Sequence, residues 1–289
     1  MRILITGAFG QLGHSLQSVL SKKSNYELVC TGRKIKKSQE GIPLDIRNQV
    51  ALKEIINTTS PDILINLAAM TNVDACELNP KLAGEINVAG LEHICNSFKG
   101  KIIHLSTDYV FDGTSGPYKE DDPLNPISIY GKTKLASEHI LLEEDTKHLV
   151  IRGNVLYDYS PHTSASFLNW VVSSLKGNQE IKVVEDQFNN PTWTRSMSDI
   201  IELSIENDLE GIIHWGDSEH ISRFEFAKLI AKKFSLNESL IKPVSTSELN
   251  QPARRPLQSG LSPEKLVNML NIIPPSIDDC LDEIIKTIQ

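Results

Sequence analysis

Apolar residues open the chain in an unbroken run. Arg2-Ile3-Leu4-Ile5-Thr6 lacks polar alternation, which predicts a strand buried on both faces. Gly7-Ala8-Phe9-Gly10-Gln11-Leu12-Gly13 follows at once, and Leu12, Leu16, Val19 and Leu20 then recur at helical spacing. The same alternation continues. Residues 26–31 read as a second strand and Pro43-Leu44-Asp45-Ile46 as the end of a third edge. A helix is predicted over 49–57 from Val50, Leu52, Ile55 and Ile56. Pro61-Asp62 breaks it, and Ile63-Leu64-Ile65 predicts a buried parallel strand running into Asn66-Leu67-Ala68-Ala69-Met70-Thr71. Residues 72–77 read as a loop, 82–98 as one long helix carrying Asn87, and 101–105 as the fourth strand. A polar, proline-rich loop (Gly116-Pro117 to Asn125-Pro126) then leads to a helix bearing Tyr130 and Lys134. Four successive strand–helix units predict an α/β protein with a doubly wound parallel sheet.

The second half is shorter-grained and more mixed. Strands are predicted at 149–152, 181–184 and 212–215. Helices are predicted at 164–176 (Phe167, Trp170, Val171 and Leu175 on its apolar side), 224–234 and 277–288. This predicts a dinucleotide-binding domain over 1–152. Residues 153–289 would then form mainly a smaller C-terminal substrate-binding lobe, with some segments returning to the first domain.

Composition narrows the field. The chain has 289 residues, 40% hydrophobic and 23% charged, as in an ordinary globular protein. Its net charge of −8 argues against a nucleic-acid partner, which needs a basic face. Cys30, Cys76, Cys95 and Cys280 form no CxxC, and the histidines form no HxxxH or HExxH. Reduced thiols in a cytoplasmic protein, and no transition-metal site, are the expectation. The apolar run at the N-terminus is too short for a signal-peptide core or a membrane span.

The candidate chemistry sits at strand ends. A strand, a glycine-rich turn and a helix together form the setting of a dinucleotide fingerprint, here spaced GxxGxxG. The glycines let backbone approach a pyrophosphate, and the helix N-terminus offers it free N–H groups. Gly7, Gly10, Gln11, Leu12 and Gly13 are therefore candidate cofactor contacts. After the second strand stands Gly32-Arg33-Lys34. A basic residue there, in place of the acid that holds a ribose 2′-hydroxyl, suits the 2′-phosphate of NADPH, with NADH as the alternative. Asp45 is placed to accept from the adenine amino group while Ile46 packs on the ring. Leu67, Ala68, Ala69, Thr71 and Leu105 end strands where a cofactor passes close to backbone. Thr107 leaves the fourth strand two dozen residues before Tyr130. Of six tyrosines only Tyr130 has a lysine at i+4, Lys134, one helical turn away. A nearby ammonium favours a phenolate, so the expectation is a lowered Tyr130 pKa and a phenol that exchanges a proton with a substrate oxygen. Asn87 is expected to buttress the active-site loop.

Gly7-x-x-Gly10-x-x-Gly13, Asn66-Leu67-Ala68-Ala69, Ser106-Thr107-Asp108-Tyr109-Val110-Phe111 and Tyr130-x-x-x-Lys134 together resemble the extended short-chain dehydrogenase/reductases, and within them the dTDP-4-dehydrorhamnose reductase family. Asp186-Gln187, Pro191-Thr192 and Ala253-Arg254-Arg255-Pro256 extend the resemblance over the whole chain. It implies a Rossmann-like fold and NADPH-dependent reduction of a nucleotide-linked 4-keto-6-deoxy sugar, dTDP-4-dehydrorhamnose to dTDP-L-rhamnose. Thr107, Tyr130 and Lys134 would be catalytic. Asp108, Val155, Asn189, Arg254 and Arg255 would join Thr107 and Tyr130 at the substrate, the two arginines on its pyrophosphate. Val155 departs from the family, whose members carry tryptophan three residues after the arginine of the fifth strand. Some relatives dimerise through magnesium and acidic residues; no such ligands are assigned in this sequence, and a monomer or a homodimer both fit it. Residues 108–114 and 211–215 are also similar to the regulatory beta subunit of methionine adenosyltransferase, which implies an NADP-binding partner protein without turnover as the alternative. An epimerase or dehydratase on the same scaffold is disfavoured, because Asp108 is followed by Tyr109 and not by the glutamate that a dehydratase would use.

Overall fold

The computed structural model of the chain describes residues 1–143, 147–159 and 166–288. Seven strands form one parallel sheet: β1 (Arg2–Thr6), β2 (Glu27–Gly32), β3 (Ile42–Pro43), β4 (Ile63–Asn66), β5 (Lys101–Thr107), β6 (Leu149–Gly153) and β7 (Gly211–His214). Their order is β3-β2-β1-β4-β5-β6-β7. The chain reverses direction across the sheet between β1 and β4, which opens a crevice at their carboxyl ends.

Side-chain alternation explains why the apolar runs are continuous. Ile3, Ile5, Ile63, Ile65, Ile103, Leu149, Ile151 and Ile213 face one layer, packed with Leu12, Leu16 and Leu20 of the first helix and Met197, Ile200 and Ile201 of a later one. Leu4, Leu64, Ile102 and Val150 face the other, against Leu52, Ile55, Ile56, Leu91, Ile94 and Leu141. With helices on both faces neither side of a strand meets water, so polar alternation would place polar groups in a core. A separate core lies beyond residue 153. There Leu168, Val171 and Leu175 (helix Phe167–Lys176) meet Phe226 and Ile230 (helix Arg223–Lys233) and Leu281 and Ile284 (helix Ile277–Ile288). Positions 164 and 165 of the helix expected at 164–176 lie outside the described residues.

Two predictions fail. Residues 72–77, expected as a loop, carry the helix Val73–Leu78, which the Asn72 side chain caps by accepting from the Ala75 N–H at 2.8 Å. The helix expected over 82–98 is an α-turn at Pro80–Gly84, a π-helical segment at Glu85–Ala89 and an α-helix at Gly90–Ser97. The wide turn holds Asn87, 97% buried, where its side chain leaves the helix to bond elsewhere. Among the described residues no helix is long and apolar enough to cross a membrane.

Candidate active site

The crevice at the sheet reversal opens into a cleft of about 710 Å³. One end is the glycine-rich turn. Gly7 sits at φ +69°, in the left-handed region, where a Cβ would lie 2.7 Å from the Ala68 nitrogen. At Gly13 a Cβ would lie 2.3 Å from the Ala8 carbonyl oxygen, so the helix Gln11–Leu20 can lie this close to the turn only without a side chain there. That helix has no side-chain cap at Gly10, which leaves its first N–H groups free beside the cleft. A narrow backbone cradle with open N–H groups fits a dinucleotide pyrophosphate. Leu12, Arg33, Asp45, Ile46, Leu67, Ala68, Ala69, Thr71 and Leu105 all line the same cleft, as do Gly10 and Gln11. Asp45 is not free there: Arg47 pairs with it at 2.6 Å, and that contact holds its carboxyl below the usual range.

At the other end Thr107, Asp108, Tyr109, Tyr130, Asn154, Val155, Phe167 and Arg223 converge. Local chemistry puts Tyr130 there. The buried Ser128 hydroxyl accepts from the Gly131 N–H at 3.2 Å and starts the helix Ile129–Leu142, so Tyr130 falls in its first turn. A Cβ at Gly131 would lie 2.1 Å from the Tyr109 carbonyl oxygen, so this helix touches the loop leaving β5. The Tyr109 and Tyr130 rings meet edge to face with centroids 5.5 Å apart. Asn87 fastens the assembly. Its Oδ1 accepts from the Met70 N–H at 2.7 Å, and its Nδ2 donates to the Met70 carbonyl at 3.2 Å and to Thr133 Oγ1 at 3.0 Å. It therefore bridges the loop after β4 to the helix of Tyr130.

The electrostatics depart from expectation at Tyr130. Burial pushes the phenol pKa up, with the Thr107 hydroxyl pulling the other way. Lys134 does not counter the burial, because its Nζ is turned aside: it donates to the Leu105 carbonyl at 2.7 Å and lies 2.9 Å from His104 Nε2. Burial pushes the Lys134 ammonium itself down to about 8. His104 belongs to a buried polar chain. Thr6 donates to Asn66 Oδ1 at 2.6 Å, Asn66 Nδ2 lies 3.0 Å from His104 Nδ1, and Ser137 Oγ lies 3.1 Å from His104 Nε2. Burial and then Lys134 hold His104 neutral. In this form Tyr130 is a protonated phenol lining the cleft beside Thr107.

Behind the site stands a buried ion pair. Arg152 Nη2 donates to Glu138 Oε2 at 2.7 Å and Arg152 Nε to Oε1 at 3.0 Å, and Ser106 also donates to Oε1. It links β6, the Tyr130 helix and the residue before Thr107.

Three expected substrate contacts are not in the cleft wall. Arg254 is exposed. Arg255 is held by Asp74 at 2.8 Å and by the Ala253 carbonyl at 2.9 Å. Asn189 is 95% buried in a two-stranded pairing with Ile221 and is not among the lining residues. Val155 does line the cleft, at φ +40°, a strained setting for a β-branched residue. Its neighbours fix it there: Asn154 donates to Asn190 at 2.8 Å, and the Thr192 N–H donates to the Val155 carbonyl at 3.2 Å.

The profile of the family described as the RmlD substrate binding domain matches residues 1–289. The chain belongs to this family. A dTDP-4-dehydrorhamnose reductase of Aggregatibacter actinomycetemcomitans is 31% identical over 288 residues, 94% of each chain. The solved structure of the Bacillus anthracis dTDP-4-dehydrorhamnose reductase in complex with NADP superposes with a TM-score of 0.90 at 31% identity over 99% of both chains. Methionine adenosyltransferase 2 subunit beta of Xenopus laevis is 31% identical over 277 residues, 93% of this chain and 82% of that one. The RmlD substrate binding domain resemblance therefore runs from the glycine-rich turn to the last helix. Sequence reasoning left out Arg223, Phe167 and His104. For Arg223 a signal existed: Ser222-x-x-Glu225 is a capping box, which fixes Arg223 as the first residue of its helix. Among the described residues no cluster of His, Cys, Asp or Glu is arranged to hold a metal.

Proposed function

We propose that this chain is an NADPH-dependent reductase of a nucleotide-linked 4-keto-6-deoxy sugar, taking dTDP-4-dehydrorhamnose to dTDP-L-rhamnose in the cytoplasm. The observation that carries the reading is that a dinucleotide cradle and a protonated Tyr130 beside Thr107 share one cleft. Gly7, Gly10 and Gly13 with the open helix terminus would hold the NADPH pyrophosphate, and Arg33 its 2′-phosphate. NADPH supplies the hydride when bound. Thr107 Oγ1 orients the sugar carbonyl, and Tyr130 gives its proton to the alkoxide that forms. The raised phenol pKa suits that direction: the acid is loaded at neutral pH, and an alkoxide is a much stronger base than a phenolate. Lys134 is buried behind the cleft wall, where its Nζ donates to the carbonyl of the lining residue Leu105; to hold the nicotinamide ribose it would exchange that carbonyl for a ribose hydroxyl. Val155, in place of a tryptophan, leaves the sugar wall short.

NADPH oxidation measured with freshly generated dTDP-4-keto-6-deoxy sugar tests this. Tyr130→Phe is expected to cut turnover by about 10²-fold or more, the usual scale of general acid catalysis. Equal turnover by the two proteins would sink the assignment. The methionine adenosyltransferase subunit resemblance supports a second reading, an NADP-binding regulatory partner. Tight NADPH binding with no turnover on any nucleotide 4-keto sugar would favour it.

A further inference from the structure

Among the cleft-lining residues, Arg223 is a cation with no carboxylate partner. It opens the helix Arg223–Lys233, and its backbone N–H donates to the Gln187 carbonyl at 3.0 Å. Its guanidinium lies over the Phe167 ring, 5.2 Å from the centroid. Among the described residues it makes no ion pair, unlike Arg255, Arg152, Arg195 and Arg47. Asp108 and Tyr109 are near enough to act on it through space, but the Asp108 carboxyl is engaged by Ser259 and Thr107. Burial disfavours its charge. Arg223 is half-buried, and a cation partly withdrawn from water without an anion is unfavourable; the natural relief is an anion brought by a ligand. The cleft wall around it holds Tyr130 and Val155, where the sugar would lie.

We infer that Arg223 holds the diphosphate of the nucleotide-sugar, the task expected of Arg254 and Arg255. This rests on the reductase reading above, whose substrate carries one strongly anionic group, the diphosphate. The guanidinium sits over Phe167 in the cleft wall, and its planar N–H fork is the group that bonds phosphate oxygens in pairs. Arg255 is already neutralised by Asp74, and Arg254 faces solvent outside the cleft.

The experiment is calorimetric titration of dTDP and of thymidine into the NADP⁺-loaded protein. It compares wild type, Arg223→Gln, Arg223→Lys and Arg254→Gln, with NADP⁺ affinity and thermal unfolding as folding controls. Arg223→Gln is expected to weaken dTDP about 10- to 100-fold, the scale of charge-assisted hydrogen bonds, with thymidine unchanged within about twofold. Arg223→Lys keeps the charge and loses the fork, so dTDP binding falls about three- to tenfold; this variant carries the test if the glutamine does not fold. Arg254→Gln stays within about twofold of wild type. If wild type binds dTDP and both Arg223 variants bind it equally well, the inference is wrong and the reductase reading stands. If wild type binds no dTDP, the nucleotide-sugar reading fails and the inference falls with it.

Discussion

The Arg152–Glu138 pair invites a direct energetic test. Arg152 is fully buried and Glu138 nearly so. The Glu138 carboxylate accepts from Arg152 at 2.7, 3.0 and 3.3 Å and also from Ser106. Glu138→Ala would leave the guanidinium with only His214 Nε2 at 3.2 Å, the Glu120 carbonyl at 3.4 Å and the Phe111 face at 5.2 Å. None of these carries a negative charge. Breaking such a pair costs about 3–5 kcal/mol, because one charge stays buried and unpaired. Against a total stability of about 5–15 kcal/mol that is about a fifth of the fold at the least. Removing both charges is a different perturbation: Arg152→Met with Glu138→Leu leaves no orphan, and most of the loss should return. Urea denaturation at neutral pH with a constant slope measures all three proteins. The reasoning is refuted if Glu138→Ala costs under about 1 kcal/mol, or if the double variant is no more stable than the single. Turnover should fall with Glu138→Ala even where the protein is folded, since Ser106 then loses its hold on the strand end at Thr107.

Three further outcomes are expected. Gly13→Ala must push the first helix off the glycine-rich turn, since the new Cβ meets Ala8 backbone at 2.3 Å. NADPH affinity should drop at least tenfold and the unfolding midpoint should fall, both readable by fluorescence titration and thermal melts. Burial, then Arg152, push His214 down to about 3, whereas the unfolded chain takes up a proton near 6.5. Its contribution is therefore complete above about pH 6.5 and is lost as pH falls toward 3, up to about 5 kcal/mol in all; a His214→Gln protein whose stability falls as steeply between pH 7 and 5 as wild type would contradict this. Asn87→Ala unties Met70 from Thr133 and should lower kcat several-fold with a smaller change in NADPH affinity, measured by steady-state kinetics.

What was legible in the sequence was whatever local patterning decides. β1, the glycine turn and the helix after it follow from an apolar run, a chain reversal and a 3.6-residue repeat, all within twenty residues. Tyr130 was legible for the same reason, since Ser128 and the helix register place it without help from distant residues. The direction in which Lys134 points was not, because it depends on His104 and the Leu105 carbonyl, thirty residues back. Two adjacent arginines read as a phosphate clamp until Asp74, far away in sequence, is seen to hold one of them. The π-helical turn escaped a periodic reading because it breaks the period it interrupts.

Val155 carries a genetic consequence. Held at φ +40°, a branched residue gives up on the order of 1–2 kcal/mol that glycine would recover. Valine codons become glycine codons by a single base change. A laboratory screen for heat resistance will therefore meet Val155→Gly early and score it as an improvement. The same step strips the apolar side chain from the cleft wall, so a library sorted on melting temperature alone will drift toward a wider cleft at this position.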